Sequence, residues 1–201
     1  MATESNPTTV GIVGLGSVGL PLAILFARAG VPLVLLERDG ERRGALSSLT
    51  SPLAHLRSEQ VEVLADALVS GDMRDLARCT AVIICVPTPL DAERRPDLSA
   101  VEGAAQGVAS HVAEGTLVVL ESTTWPGTTR EVLGQIFAGV GVDLAYSPER
   151  VDPGRDEGGR LGSDVPKLVG GLTSAGTERA VSLYSMAFET VIPVSSAEVA
   201  E

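Results

Sequence analysis

A glycine-rich turn between an apolar run and a helical stretch constrains this chain more than any other feature. The segment VGIVGLGSVGL places G-x-G-x-x-G at Gly14, Gly16 and Gly19. It directly follows a strand-like run at residues 9–13 and opens a helical pattern over 18–29 that Gly30 stops. The three glycines play different parts. Gly14 permits the tight turn, Gly16 lets the backbone approach a pyrophosphate, and Gly19 lets helix and strand pack closely. Ser17 and Val18 lie within the same turn, where the free N–H groups of the helix N-terminus face phosphate. A second strand-like run at 32–36, PLVLL, ends at Glu37. That is about 20 residues beyond the turn, where dinucleotide folds carry a carboxylate for the adenosine ribose. A tight strand–helix turn without a ligand also fits a bare glycine motif. Strand, turn, helix, strand and carboxylate in this order favour a dinucleotide. Arg38 raises the alternative of a 2′-phosphate, but Glu37 would repel one, so NAD is expected over NADP and Arg38 reads as a solvated surface charge.

The alternation continues along the chain. Helical patterns at 38–49, 58–69, 99–112, 128–138 and 174–188 alternate with apolar runs at 81–86, 116–120, 142–145, 167–169 and 191–194. A long polar segment, 147–165, interrupts the pattern. Strand–helix alternation predicts an α/β domain: a Rossmann-type, doubly wound, mainly parallel sheet with helices on both faces. A (β/α)8 barrel, typically about 250 residues, does not fit a chain of 201.

Aromatic residues are only 3% of the sequence, so the core must be built from Val, Leu, Ile and Ala. The formal net charge of -11 argues against a nucleic-acid partner. There is no signal-peptide pattern and no run of about 18 apolar residues, so a cytoplasmic setting without membrane contact is expected. Cys79 and Cys85 are too few for a disulfide scaffold and fit a reducing compartment. Both read as structural thiols. His55 and His111 have no ligand partner at i+4 and read as surface or capping residues, so no metal is expected.

Three segments rich in Thr, Pro and Glu follow strand ends: CVPTPL (85–90), ESTTWPGTT (121–129) and SPERVDPG (147–154). Ligands of open parallel sheets bind beyond those ends, which makes the segments candidate walls of a site. Singly, each could be no more than a turn. Together, GIVGLGSVGLPLA, IICVPTPL, PDLS, VVLESTTWPGTT, AYSPERVDPG and PKLVGG resemble the UDP-glucose/GDP-mannose dehydrogenase family, in order and spacing through the whole chain. The SPERVDPG and PKLVGG wording is similar to the branch acting on UDP-N-acetylhexosamines.

The resemblance implies oxidation of the C6 hydroxyl of a UDP-sugar to a carboxylate in two NAD-dependent steps. It implies NAD contacts from Gly14, Gly16, Ser17, Val18, Gly19, Glu37, Thr88 and Thr123. Thr123 falls where the family orders a catalytic water, and Glu149 on a glutamate given acid/base or water-positioning work. Arg150 and Val151 fall at the start of a segment that touches the sugar nucleotide. Ser17 stands where the family usually has Tyr, and Glu37 where Asp is commoner. The family's catalytic lysine, asparagine and nucleophilic cysteine match nothing within these residues. Residues 1–196 are therefore expected to form the NAD-binding domain, and 197–201 to begin a central linker helix, leaving the isolated chain monomeric or weakly dimeric and without turnover. A stand-alone NAD-binding or regulatory module, or a different small Rossmann dehydrogenase, remains an alternative reading of the same residues.

Overall fold

Apolar runs without a polar face must be covered on both sides, and this chain covers them. In the computed structural model, which describes residues 8–90, 93–149 and 161–201, β1 (Val10–Val13), β2 (Leu33–Leu36), β4 (Ala81–Ile84) and β5 (Leu117–Leu120) are buried at every position. With β3 (Leu68–Ser70), β6 (Asp143–Tyr146), β7 (Lys167–Gly171) and β8 (Val191–Pro193) they form one sheet in the order β3-β2-β1-β4-β5-β6-β7-β8. Neighbours are parallel except β6 and β7, which run antiparallel with Tyr146 opposite Gly170. Strand order reverses beside β1, where the chain steps out to β2 and returns to β4. Such a switch point opens a crevice beyond the strand carboxyl ends. The expected doubly wound, mainly parallel sheet is the one that forms.

Alternate strand residues serve opposite layers. Val10, Ile12, Leu35 and Ile83 pack with Leu22 and Phe26 of α1 (Gly19–Arg28) and Leu183 and Tyr184 of α6 (Ser174–Tyr184). Val13, Val34, Val82 and Leu120 pack with Val101, Ala105 and Val108 of α4 (Ser99–Ala109). Leu133 joins this second layer from a π-helical turn, Thr129–Leu133, that runs into α5 (Gly134–Ile136). Gly30 ends α1 as expected, at φ +75°. Its N–H donates to Ala27 O (2.9 Å) and that of Val31 to Phe26 O (3.1 Å), so the last carbonyls of the helix are satisfied.

The middle of the chain departs from the sequence reading. Residues 58–69 do not form one helix. They form α3 (Ser58–Val61), a 3-10 turn (Glu62–Leu64) and, after a short turn, the start of β3. Three residues at a sheet edge, with one neighbouring strand and Leu68 exposed, are too short to show a period of two. The 38–49 helix begins later than expected, as α2 (Gly40–Ser47), because Asp39 caps it by accepting from the N–H groups of Glu41 and Arg42.

Residues 197–200 form α7 (Ala197–Ala200), with Ala197 and Ala200 buried in the second layer. The Glu201 carboxylate accepts from Thr129 N and Thr129 Oγ1, both at 2.7 Å, closing this segment onto the start of the π-helical turn. No helix among the described residues is long and apolar enough to cross a membrane.

Candidate functional site

Parallel strands deliver their carboxyl ends to one edge of the sheet. That edge gathers the glycine turn after β1, Glu37 after β2, Thr88 beyond β4, Thr123 beyond β5 and Glu149 beyond β6. Arg150 and Val151 lie outside the described residues.

Gly14 and Gly19 take the turn and packing roles that the spacing implies. Gly14 sits at φ +92°, and a Cβ there would lie 2.9 Å from the Cys85 carbonyl oxygen. A Cβ on Gly19 would lie within 2 Å of the Gly14 carbonyl oxygen, so helix and strand touch through it. A Cβ on Gly16 would meet nothing within 4 Å. Among the described residues its bareness serves no packing, which leaves room for something to approach. The start of α1 has neither a side-chain cap nor an acidic residue in its first turn. Leu20 N–H donates to the Gly16 carbonyl (3.1 Å) and Pro21 has no N–H, so what this terminus offers an anion is chiefly the positive end of its dipole. A pyrophosphate fits that open, uncapped terminus.

Glu37 is buried, and both of its oxygens are engaged: Oε2 accepts from Leu15 N (3.1 Å) and Oε1 from Asp39 N (3.0 Å). The carboxylate therefore braces the glycine turn against the end of β2. Each oxygen retains a further acceptor site for a ribose hydroxyl. Arg43 Nη1 donates to the carbonyls of Glu37 and Arg38 (2.7 and 2.8 Å), which fixes the backbone here. Arg38 itself is exposed, as read from sequence.

Ser122 Oγ donates to Val86 O at 2.7 Å, tying the loop after β5 to the loop after β4. Thr123, next to Ser122, is exposed and Thr88 half-buried. A cleft brings Ser17 and Val18 of the glycine turn together with Glu149, His55 and Phe188. Glu37, Thr88 and Thr123 share the sheet edge but do not line that cleft.

Sequence reasoning gave no role to the most unusual charges at this edge. Lys167 is 3% exposed at the start of β7. Because β7 runs antiparallel, its first residue stands beside the last residues of the parallel strands. Lys167 Nζ lies 3.1 Å from Glu121 Oε2, in ion-pair contact though outside hydrogen-bond geometry. It also donates to Pro148 O (3.3 Å) and Glu149 Oε2 (3.4 Å). Tyr184 Oη donates to the other Glu121 oxygen. Burial pulls the Lys167 ammonium down, but the carboxylates of Glu121 and Glu149 outweigh it and hold it above the ordinary lysine value. Burial pushes the Glu121 carboxyl up, against the pull of Lys167. The sequence signal was a lysine opening an otherwise apolar strand, PKLVGG, and a glutamate closing another, TLVVLE.

Both cysteines are buried, as expected. Burial pushes the Cys79 thiol up to about 11 and the Cys85 thiol well above its ordinary value, so neither is a thiolate at neutral pH. His111 Nδ1 contacts the Gly107 carbonyl at 2.8 Å, a helix-terminal role, and His55 is exposed. Among the described residues no group of three or more His, Cys, Asp or Glu could hold a metal ion.

This sequence and fold match known proteins. Residues 8–187 match the model of the UDP-glucose/GDP-mannose dehydrogenase family, NAD binding domain. The chain is 32% identical over 186 residues to UDP-N-acetyl-D-glucosamine 6-dehydrogenase of Pseudomonas aeruginosa, a match covering 87% of this chain and 42% of that protein. It is 33% identical over 205 residues to UDP-N-acetyl-D-mannosamine dehydrogenase of Pyrococcus horikoshii, covering 96% and 48%. The crystal structure of NDP-N-acetyl-D-galactosaminuronic acid dehydrogenase from Methanosarcina mazei superposes with a TM-score of 0.88 at 32% identity, covering 97% of this chain and 46% of that one. The chain thus spans about half the length of the curated relatives it matches. Residues 8–187 match a domain whose cofactor is NAD, and through that domain the chain belongs to the UDP-glucose/GDP-mannose dehydrogenase family.

Proposed function

We propose that this chain is the cofactor-holding portion of a nucleotide-sugar 6-dehydrogenase that oxidises the C6 hydroxyl of a UDP-N-acetylhexosamine to a carboxylate. The observation that carries this reading is the cleft in which Glu149 meets Ser17 and Val18 of the glycine turn. A group able to move a proton there stands beside the turn expected to hold the cofactor's phosphates. The named activities of the Pseudomonas and Pyrococcus relatives supply the substrate class.

On this reading the backbone around Gly14, Gly16, Ser17, Val18 and Gly19 holds the pyrophosphate, and Glu37 accepts the ribose hydroxyls. Thr88 and Thr123 complete the cofactor contacts beyond β4 and β5. NAD, when bound, supplies the hydride acceptor. Each sugar gives up two hydrides and takes up one water on its way from alcohol to carboxylate. Thr123 orients that water, and Glu149 takes or returns the proton at its carboxylate. Arg150 and Val151 contact the sugar nucleotide, and α7 begins the helix that leads out of the domain.

Calorimetric titration is expected to show tighter binding of NAD than of NADP, because the Glu37 carboxylate repels a 2′-phosphate. Tighter NADP binding would overturn the assignment of Glu37. The full-length gene product should form NADH with UDP-N-acetylglucosamine or UDP-N-acetylmannosamine in preference to UDP-glucose. NAD binding without turnover on any of the three would leave a binding module instead. A polypeptide of these 201 residues should bind NAD without making uronate, because its cysteines, Cys79 and Cys85, are buried with raised pKa values. Two NADH per sugar from that polypeptide would show one of them to be the nucleophile.

A further inference from the structure

We propose that Lys167 is a positioning residue for Glu149: its ammonium, anchored by the buried carboxylate of Glu121, holds the Glu149 carboxylate in the wall of the cleft shared with the glycine turn. The inference rests on the reading of Glu149 as the group that handles a proton or water.

A lysine that loses its water must find oxygen for three N–H donors and a counter-charge for one positive charge. Glu121 supplies the buried counter-charge, since it too is fully buried and lies 3.1 Å away. The remaining contacts go to the segment just beyond β6, namely the Pro148 carbonyl and the Glu149 carboxylate. One contact fixes the backbone before Glu149 and the other its side chain. Charge balance in the core does not require Glu149, whose side chain is 22% exposed while that of Lys167 is 4% exposed. The ammonium therefore reaches from the core to a carboxylate at the cleft surface.

The rest of the cluster holds Lys167 still. Tyr184, at the end of α6, donates its hydroxyl to Glu121 and fixes the anchor. The rings of Tyr184 and Phe188 lie 5.3 and 5.4 Å from Nζ and wall it from water. With water excluded, the pull on Glu149 is less screened than at a surface. The raised Lys167 value agrees with a group that stays charged at neutral pH. Four segments converge on one carboxylate: the ends of β5, β6 and α6 and the start of β7.

Removing the lysine alone would strand Glu121, so the informative variant is Lys167→Met with Glu121→Gln, which removes both buried charges together. In the full-length gene product it should keep the native circular dichroism spectrum and NAD affinity. It should lose kcat on a UDP-sugar by at least tenfold, to the level of Glu149→Gln. Adding Glu149→Gln to the pair should cost nothing more, since Lys167 acts through that side chain. Multiplying losses, or wild-type kcat in the paired variant, would overturn the proposal. Wild-type kcat in Glu149→Gln alone would instead remove the proton-handling reading of Glu149. A crystal structure of the paired variant of the 201-residue chain decides the positioning claim without any turnover. The Glu149 carboxylate should leave its present place, and finding it unmoved would overturn the proposal.

Discussion

Gly16→Val should leave the fold intact and weaken NAD binding by well over tenfold, about 1.4 kcal/mol or more. Two observations keep the fold out of the effect. Among the described residues a Cβ at Gly16 meets no atom within 4 Å, and Gly16 is not among the residues of positive φ, so the branch point of valine enters without clash or left-handed strain. α1 is secured elsewhere, by its buried face and by its Gly30 terminus. The added isopropyl group occupies the space through which an anion would approach the turn and the positive end of α1. Calorimetry gives the affinity and circular dichroism the fold. Unchanged affinity with a native spectrum would sink the assignment of this turn to the cofactor.

Gly19→Ala should do the reverse and strike stability first. The new methyl carbon would fall within 2 Å of the Gly14 carbonyl oxygen, and Gly14 is itself wedged against the backbone at Cys85. The conflict is backbone against methyl, so no side-chain rotation relieves it. α1 must move off β1, where Leu20, Leu22 and Phe26 are fully buried or nearly so. Overpacking of this kind costs about 3 kcal/mol. In a domain of this size that lowers the melting temperature by roughly 6–12 °C. Calorimetric scanning without ligand checks it, and a melting temperature within a degree of wild type would show that helix and strand can part cheaply. Two glycines three residues apart would thus fail in different ways, one in binding and the other in folding.

The contrast bears on what can be read in a sequence. The glycine turn was legible because its determinants are local: apolar run, turn, helix and carboxylate follow one another within a single unit. β1, β2, β4 and β5 were legible for a similar reason, since residues buried on both faces leave an unbroken apolar run. β3 was not, because three residues at an edge carry no period and stand close behind a genuine helical turn. The direction of β7 was not legible either. Nothing in KLVGG states whether it pairs parallel or antiparallel, and only docking against β6 decides. With the direction unknown, Lys167 could not be placed at the same edge as Glu121 and Glu149. A cluster assembled from three distant segments leaves no trace in spacing.

The reversal of β7 also governs how freely this protein can change. A parallel neighbour of β6 would need a crossover spanning the height of the sheet, with a helix or long connector of fixed reach. Because β7 is antiparallel, the connection leaves β6 and enters β7 at the same edge. Its two ends are held close together, by Ser147 Oγ donating to Leu168 O (2.8 Å) and by Lys167 reaching Pro148. The entropy of closing a loop between fixed ends grows only with the logarithm of its length, about 0.6 kcal/mol for each doubling. A change in the length of that connection therefore costs the sheet little entropy. The connection between β6 and β7 is thus a place where the chain can change length while the order of the sheet stays as it is.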